Sequence, residues 1–511
     1  MPSSLRLAEL LASLSLAIDL GTGQPMEWVM KCGILAVNLS RIMGLDEKVQ
    51  RDVYYLSLLR HIGCTANAHF DAQRFGNELS IAHAFALDPD NMMDGLSFVL
   101  SSAGRNKPAL QRIAAIAGML AAGPAGAKVN HYAHCEVAQR LSSRLGFAPE
   151  MSEYLWQIYE RWDGKGDPKG LKGEQIALSA RVIHLAQDAV IFHTIGGTDA
   201  VLKMVRERTG RYFDPGLADL FCKHAGDLCE SINVNSVWDA TLASEPGTPT
   251  FLSDIQLNEA CVVIADFTDM KSPFTLGHSR RVAELAEKAA HQMRLPESDA
   301  VLLRNAGLIH DVGRVGVTAS IWGKNGPLTE SEWERVRLHP YYTERIFTRA
   351  KELQPISRIA ALHHERVDGS GYHHQHSGAA LPIAARILAA ADVYCAMTET
   401  RPHRKALEAE SAVRELKSEA RTGRLDHVAV DGVLAAAGHA ERSSKTSTDL
   451  SQREIEVLRL VARGLSNKEM ARQLSISPKT VDHHVQHIYN KIGVGTRAGA
   501  TLYAIEHHLM E

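Results

Sequence analysis

The sequence lacks the marks of a secreted or membrane protein. Its seven cysteines are scattered, odd in number and free of any C-x-x-C pair, which predicts reduced thiols and excludes a disulfide framework. No apolar run reaches the roughly 18 residues of a membrane span. Residues 5–20 are apolar, but charges interrupt them and a cleavage site is missing. We therefore expect a soluble, cytoplasmic protein with no membrane partner.

A strong charge of one sign and the patterning of β-strands are also missing. The net charge is −3, so DNA binding would need a local basic patch. β-branched residues rarely alternate with polar ones, whereas Ala, Leu and Arg are abundant, which predicts an almost entirely helical chain. At 511 residues the chain is long enough for about three to four domains.

The sequence does contain a series of imidazole and carboxylate side chains between residues 278 and 392. The series comprises His278, His310, Asp311, His339, His363, His364 and Asp392. It includes no thiol, so a metal bound there would be zinc, iron, manganese or nickel. Apolar runs at 301–309, 356–362 and 387–391 each end at one of these residues, which predicts helices that converge on one polar centre. Seven donors are too many for one tetrahedral ion and suit two ions that share a carboxylate and a water.

The order of these residues, with the segment HHERVDGSGY at 363–372, resembles the HD-GYP branch of the HD-domain metal-dependent phosphohydrolases over about residues 256–438. The resemblance implies an all-helical fold and hydrolysis of a cyclic dinucleotide such as cyclic di-GMP. It also implies two or three divalent ions. We expect iron or manganese in preference to zinc or nickel, held by the seven residues, with Asp311 bridging and acting in catalysis with Arg314. The substrate would contact Arg314 and four residues of the loop at 368–372, namely Asp368, Gly369, Gly371 and Tyr372.

Three positions depart from the pattern of that family. His373 replaces the final Pro of the motif, which removes a fixed backbone angle and adds a titratable group. Arg314 replaces a Lys; it can clamp a phosphate with two hydrogen bonds but cannot release its proton. Phe274 stands where members with three metals carry a carboxylate, so we expect two ions.

Residues 1–237 contain an internal copy of this region. The segment ERWDGKG at 160–166 matches ERVDGSG at 365–371, and LLRHIG at 58–63 matches LIHDVG at 308–313. In that alignment the ligand positions hold other side chains, namely Trp28, Arg60, His61, Tyr159 and Gln187. We predict a degenerate HD-like copy that serves sensing, dimerisation or regulation. The alternative is a new one-metal site built from His61, Cys64, His69 and Asp71.

Small polar residues mark two joints in the chain. Ser, Pro, Gly and Thr crowd residues 244–249, and residues 440–448 have the sequence AERSSKTST. The predicted organisation is a degenerate HD-like helical domain at 1–237, a linker at 238–255, an HD-GYP-like domain at 256–439, a linker at 440–448, and a small domain at 449–511.

The C-terminal segment predicts three short helices. The serine and glutamate pairs at 451/454 and 466/469 fit the reciprocal capping box, and Ser477 before Pro478 fits a helix start. A short turn at 475–477 separates the second helix from the third, as in a helix-turn-helix. The third helix carries an apolar stripe opposite its polar face, made by Val481, Val485, Ile488 and Ile492.

Residues 450–485 closely resemble the LuxR-type DNA-binding domain, and the similarity continues beyond them for about 65 residues in all. The resemblance places Asp482, His483 and Gln486 toward the major groove, and it places four residues near phosphates, namely Lys479, Thr480, His484 and Lys491. Residues 450–511 have a net charge of only +2. We therefore expect a homodimer that binds a two-fold repeated site on duplex DNA.

Two classes of function remain open at this point. The favoured hypothesis is a bacterial transcriptional regulator with a two-metal phosphodiesterase core, in which the ions activate a shared water and Arg314 neutralises charge on the substrate. The rival is a non-catalytic module whose metal site senses a ligand or a metal and moves the DNA-binding segment. A third hypothesis is a phosphohydrolase that acts on another nucleotide.

Overall fold

The chain is built from helices. The computed structural model describes residues 5–88, 90–104, 108–438 and 450–510, without the side chains at 81, 83 and 122–125. These residues contain isolated β-bridges but no β-strand. The all-α prediction is thus confirmed. Within the same residues no helix is both long and apolar enough to cross a membrane. The chain divides into two compact units, Met1–Gln256 and Leu257–Glu511.

The described residues of the first unit form eleven α-helices. They are α1 (Leu7–Thr22), α2 (Trp28–Ile42), α3 (Glu47–Leu59), α4 (Ala68–Phe75), α5 (Met92–Ser102), α6 (Ala109–Arg144), α7 (Pro149–Leu155), α8 (Leu178–Arg208), α9 (Pro215–Lys223), α10 (Ala225–Glu230) and α11 (Val237–Ser244). Short 3₁₀ helices lie at Cys64–Asn67, Glu78–Ala86 and Gly173–Gln175. α8 bends at Gly196 and Gly197, whose dihedral angles are not helical. The unit is organised around α2, which packs against α3, α8 and α11.

The second unit begins within α12 (Asp254–Asp269). The helices that follow are α13 (His278–Gln292), α14 (Glu297–Ile309), α15 (Ala319–Trp322), α16 (Glu330–Arg337), α17 (His339–Phe347), α18 (Gln354–Ala361), α19 (Ile383–Thr398), α20 (Ala409–Arg421), α21 (His427–Ala436), α22 (Gln452–Ala462), α23 (Asn467–Leu474), α24 (Pro478–Ile492) and α25 (Arg497–Glu506). Short 3₁₀ helices lie at Val312–Gly316, Lys351–Leu353 and Gly378–Ala380. α13 packs against α14, α19 and α21, and α14 packs against α18. These contacts bring the ends of several helices to one place.

The two units repeat the same opening helices. α2 and α13 each have 15 residues, and α3 and α14 each have 13. A residue with positive φ precedes the first helix of each pair, Glu27 at 73° and Gly277 at 72°. A buried aspartate then accepts the backbone N–H of the second residue in that helix, Asp19 at 3.1 Å and Asp269 at 2.9 Å. The internal copy seen in the sequence is therefore a copy of local structure as well.

The residues predicted as the first linker are largely fixed within the first unit. Residues 238–244 belong to α11, where Trp238 and Thr241 are buried. Glu245 then accepts hydrogen bonds from Arg6 at 2.5 Å and from Tyr55 at 2.6 Å. The small polar composition thus marks a turn held against the start of the unit, which differs from the predicted linker. The second predicted linker, 440–448, lies outside the described residues.

The predicted starts of the C-terminal helices are confirmed. Both serine and glutamate pairs form reciprocal capping boxes, at the first turns of α22 and α23. Ser477 accepts the backbone N–H of Thr480 at 3.0 Å and caps α24, and such a cap stabilises a helix by about 1 kcal/mol. Ser475, with φ at 54°, makes the turn between α23 and α24. Of the predicted stripe, Ile492 is only half-buried, and three residues are buried, namely Val481, Val485 and Ile488.

Candidate metal centre and DNA-binding helix

All seven predicted metal ligands meet in the second unit. They lie on five helices or directly beside them: His278 and His339 begin α13 and α17, His310 and Asp311 follow α14, His363 and His364 come just after α18, and Asp392 lies on α19. Six of these residues are buried, and His364 is half-buried. The sequence-based set is therefore brought together in one polar centre.

Asp392 differs from the prediction that it ends a helix. It lies in the middle of α19, because the alanine-rich run meets no helix-breaking residue and continues to Thr398. No such prediction was made for His278 and His339, which start their helices. The carboxylate of Asp392 nevertheless reaches the centre, and its Oδ1 lies 3.1 Å from Nε2 of His278.

The seven side chains divide into two sets with one aspartate between them. One set is His278, His310 and Asp392, and the other is His339, His363 and His364; within each set the ligand atoms lie within 4.8 Å of one another. Asp311 faces both sets. Its Oδ1 lies 3.4 Å from Nε2 of His339 and 3.5 Å from Nε2 of His363, and its Oδ2 lies 3.5 Å from Nε2 of His310. A carboxylate placed in this way can bridge two ions.

Three of the imidazoles are oriented by the backbone. The Nδ1 atoms of His310, His339 and His363 each lie within hydrogen-bonding distance of the carbonyl oxygen three residues earlier, at 2.7, 2.5 and 2.7 Å. A carbonyl oxygen only accepts, so each Nδ1 carries the proton and each Nε2 keeps its lone pair for the centre. Nε2 of His310 is buried and has no hydrogen-bond partner among the described residues. These observations fit metal ligation.

Burial and charge set the protonation of the centre. Burial would raise the pKa of Asp311, but Arg314 and the nearby imidazoles hold it well below its usual range. Burial lowers the pKa of His310 to about 4. It would also lower the pKa of His278, but Glu399 and Asp392 raise that pKa to about 9. Ionised carboxylates among mostly neutral imidazoles are the donors that divalent cations require.

Arg314 lies against the carboxylate that divides the two sets. Its Nη1 donates to Oδ2 of Asp311 at 2.6 Å, and its guanidinium lies 3.9 Å from the ring centroid of Trp322. Stacking and the ion pair together fix this cation beside the centre. Arg314 therefore lies beside the centre, and its role as a phosphate-binding group stays a prediction.

Sequence reasoning missed Glu399, which orients the first histidine. A carboxylate oxygen of Glu399 lies 2.9 Å from Nδ1 of His278, and the same carboxylate binds Arg281 at 2.6 Å and Arg401 at 2.9 Å. Glu399 is 121 residues from His278 in the sequence and outside every motif. The signal in the sequence was its position seven residues after Asp392, just beyond the end of α19.

The predicted substrate loop contributes one residue directly to the centre. The ring of Tyr372 stacks on that of His364 with centroids 4.7 Å apart. Gly371 is needed for close approach, because a Cβ there would lie 2.5 Å from Cα of Glu365. Gly369, with φ at 80°, allows the turn. Asp368 is exposed, and its carboxylate accepts the backbone N–H of Ser370 at 2.9 Å, so it stabilises this turn.

In the first unit the corresponding positions meet without forming a ligand set. Nε2 of His61 lies 3.0 Å from Oε1 of Gln187, and its ring stacks on Trp28 with centroids 5.5 Å apart. Arg60 donates to the carbonyl oxygen of Ile158 at 2.8 Å. Burial lowers the pKa of His61 to about 3 and also lowers the pKa of Arg60. In this unit the described residues include no His, Cys, Asp and Glu group that could hold a metal.

His134 is a further counterpart that sequence reasoning missed. It precedes the ERWDGKG segment by 26 residues, the same spacing that separates His339 from the ERVDGSG segment. The structure gives both histidines the same neighbour. A Cβ at Gly63 would lie 2.1 Å from the carbonyl oxygen of His134, and a Cβ at Gly313 would lie 2.0 Å from that of His339.

The alternative one-metal site of the first unit is not assembled. Its side chains make separate contacts: His61 as described above, His69 with Gln73 at 2.9 Å, and Asp71 with Asn130 at 3.0 Å. His61, His69 and Asp71 therefore contact different partners and do not come together as one ligand group.

The predicted DNA-reading face is accessible along α24. His484 is half-buried, and the exposed residues are Lys479, Thr480, Asp482, His483, Gln486 and Lys491. Asp482 accepts a hydrogen bond from Asn467 at 3.1 Å. Lys491 forms an ion pair with Glu454 at 2.8 Å, so the domain itself holds this ammonium group. The contacts of these residues with DNA stay a prediction.

Two known families match the chain, one over the region of the metal centre and one over the region of α24. The HD domain family matches residues 128–217 and 262–428, which together make up just over half of the chain and fall in both units. The family of bacterial regulatory proteins, luxR family, matches residues 448–504. The predicted fold, tandem HD-like units followed by a LuxR-type helix-turn-helix domain, is therefore confirmed.

Several known proteins are similar to the chain. The 3'3'-cGAMP-specific phosphodiesterase 3 of Vibrio cholerae serotype O1 is 29% identical over 415 residues, which are 80% of this chain and 89% of that protein. A crystal structure of a cyclic GMP-AMP-specific phosphodiesterase of V. cholerae matches with a TM-score of 0.60 and 26% identity, covering 86% of this chain and 99% of that one. The cyclic di-GMP phosphodiesterase response regulator RpfG of Xanthomonas campestris pv. campestris is 34% identical over 165 residues, which are 32% of this chain and 43% of that protein.

Proposed function

Since this chain belongs to the HD-domain family and carries a luxR-family domain, we propose that it is a DNA-binding regulator with a metal-dependent phosphodiesterase core. The observation that carries the proposal is the division of seven buried or half-buried donors into two sets, with Asp311 facing both. A single structural ion would leave one set without a role.

We assign the seven residues to two divalent ions, iron or manganese before zinc or nickel, with Asp311 as the bridging ligand. When bound, the ions would supply Lewis acidity and lower the pKa of the attacking water. The protein contributes fixed orientation, because the backbone holds the Nδ1 protons of three histidines and leaves each Nε2 lone pair at the centre. It also supplies a ring face at Tyr372, 4.7 Å from His364, on which a base can stack.

Arg314 would neutralise charge on the transferred phosphoryl group. In the structure its Nη1 donates to Oδ2 of Asp311 at 2.6 Å. A guanidinium has five donors, so it can keep this bond and still bind a phosphate oxygen. Gly369, Gly371 and Asp368 would shape the loop beside the substrate, the glycines by permitting its backbone path and Asp368 by fixing its turn.

The proposed substrate is a cyclic dinucleotide. The relative named for 3'3'-cGAMP aligns with 80% of this chain, whereas RpfG, named for cyclic di-GMP, aligns with 32%. We therefore rank 3'3'-cGAMP first and cyclic di-GMP second. The LuxR-type domain would bind duplex DNA as part of a homodimer, with Asp482, His483 and Gln486 at base edges and a second set near phosphates, namely Lys479, Thr480, His484 and Lys491.

The test is incubation of the full chain with manganese or iron and each cyclic dinucleotide, followed by chromatography of the products. Wild-type protein should release a linear dinucleotide or mononucleotides. Asp311→Asn should abolish hydrolysis and retain DNA binding. Asp431→Asn is the matched control, because this exposed aspartate pairs with exposed His427 at 3.2 Å and should leave hydrolysis unchanged.

A different outcome would favour the sensing module. The ion pair between Arg314 and Asp311 already gives the bridging carboxylate a partner, and such a contact competes with a metal for the same oxygen. If wild-type protein hydrolyses no nucleotide while a cyclic dinucleotide still changes its affinity for DNA, the phosphodiesterase proposal is wrong. Hydrolysis of another nucleotide alone would instead assign the core to a different phosphohydrolase activity.

A further inference from the structure

A second cluster of metal-binding side chains lies next to the substrate loop. We call it the loop cluster: Glu344 on α17, with His373 and His374 in the loop. None of the three belongs to the seven central ligands. Their ligand atoms lie within 4.8 Å of one another, although the three residues come from segments 29 residues apart in the sequence.

The distances within the loop cluster match those of a metal site. Oε2 of Glu344 lies 3.1 Å from Nε2 of His374 and 3.3 Å from Nε2 of His373. Ligands bound tetrahedrally to zinc at about 2.0–2.1 Å are separated from each other by about 3.3 Å. Two imidazoles and one carboxylate are also a donor set that zinc accepts, with the remaining position left to water.

The loop cluster is accessible to an ion from solvent. The side chains of His373, His374 and Glu344 are 17%, 31% and 32% exposed. The loop cluster contains one carboxylate and two imidazoles, so it differs from the groups of acidic residues that are common on protein surfaces. His373 has φ at 85°, a conformation that a proline at this position could not adopt.

The loop cluster is connected to the two-metal centre through the loop and through α17. Glu365 accepts the backbone N–H groups of His374 at 2.8 Å and of His376 at 2.9 Å, which fixes the loop that carries the two imidazoles. On the other side, Glu344 belongs to the same helix as the central ligand His339. An ion held by the cluster therefore joins the loop containing Tyr372 to α17.

We propose that Glu344, His373 and His374 bind one borderline divalent cation, with Zn²⁺ as the best match, and that this ion fastens the loop at 369–378 to α17. The site is separate from the two-metal centre, and the proposal does not rest on the phosphodiesterase activity. Its consequence is a second dependence on metal, in which zinc orders the substrate loop and leaves the central ligands in place.

Zinc titration of the full chain, previously loaded with manganese, tests the proposal. Total metal per chain is measured by inductively coupled plasma mass spectrometry, which counts both elements and so separates addition from exchange at the centre. Wild type should gain one ion per chain. His374→Ala and Glu344→Gln should each bind this ion at least about 10-fold more weakly, because loss of a ligand costs no less than loss of an outer-shell partner.

His427→Ala is the control, because His427 pairs with the carboxylate of Asp431 and belongs to no metal-binding group among the residues that the structure describes. It should gain the ion as wild type does. Hydrogen exchange measured by mass spectrometry gives the second readout: zinc should slow exchange at 369–381 in wild type and in the control, and not in the two ligand variants. Unchanged exchange elsewhere in those variants shows that they are folded.

Two results would overturn the proposal. One is that wild type gains no ion beyond those it already holds, in which case the two histidines only hydrogen-bond to Glu344. The other is that both ligand variants gain the ion with wild-type affinity. If the two-metal centre itself binds nothing, the single zinc ion at the loop cluster should still appear, so failure of one proposal is distinguishable from failure of the other.

Discussion

Replacing Glu399 with glutamine tests how the centre orients its first histidine. The carboxylate lies 2.9 Å from Nδ1 of His278 and also binds Arg281 and Arg401. Burial opposes its ionisation, but His278 and the two arginines lower the pKa of Glu399 to about 2, so the group is charged at neutral pH. Glutamine keeps the shape and one acceptor oxygen but removes the charge that makes the imidazole a stronger ligand.

The expected effect is confined to one of the two ions. Loss of an outer-shell partner weakens metal binding about 10- to 100-fold, which is about 1.4–2.7 kcal/mol. Because glutamine still accepts a hydrogen bond from His278, we expect the lower end, and only for the ion held with His310 and Asp392. A chelator of known affinity should therefore remove the two ions from the variant in two steps, whereas it should remove them from wild type in one.

The control for this substitution is Glu419→Gln, which changes a half-buried glutamate paired with Arg424 at 3.3 Å, outside the centre. It should leave both affinities at the wild-type value. The reasoning is refuted if Glu399→Gln binds both ions as wild type does, or if the control weakens binding to the same extent.

Other contacts lead to three more expectations. Gly313→Ala places a Cβ 2.0 Å from a backbone oxygen and should lower both the unfolding free energy, by about 1–3 kcal/mol, and the metal content. Gly63→Ala, with the matching approach of 2.1 Å, should destabilise to a similar extent in urea titrations and leave the metal content unchanged, so equal loss of metal would contradict the reasoning. Burial opposes ionisation of Glu454, but hydrogen bonds led by that from Lys491 lower its pKa to about 2 from 4.5. Its stabilising effect is therefore complete above pH 4.5 and is lost as the pH falls toward 2; hydrogen exchange at 450–510 should rise over that window, and Glu454→Gln should remove the rise. Lys479→Ala should weaken DNA binding and reduce the slope of log affinity against log salt by about 1, and an unchanged slope would exclude a phosphate contact there.

The centre could be predicted because metal binding requires particular residue types, and these can be found in the sequence. Imidazoles and carboxylates that follow apolar runs identify a polar centre between helices, and all seven candidates meet in the structure. The reciprocal caps at the starts of α22 and α23 were equally accessible, since each depends on side chains only three residues apart. Local pairs of this kind can be predicted without knowing the tertiary fold.

Contacts between distant segments were not accessible in the same way. Glu399 acts on His278 through a contact that depends on how α19 packs against α13, and no spacing in the sequence encodes it. The end of α19 was misplaced because Asp392 points into the centre from the middle of a helix, where a carboxylate is unusual but an alanine-rich run still continues. Trp238 explains the helix at 237–244, since burial of its ring outweighs the loop-like composition that follows.

The most direct test of the two-metal phosphodiesterase centre is anomalous diffraction from crystals of the full chain grown with manganese or iron. The account predicts two peaks between the helices that carry the seven ligands, one within each set and with Asp311 between them. A single peak, or none at this centre in metal-replete crystals, would contradict it.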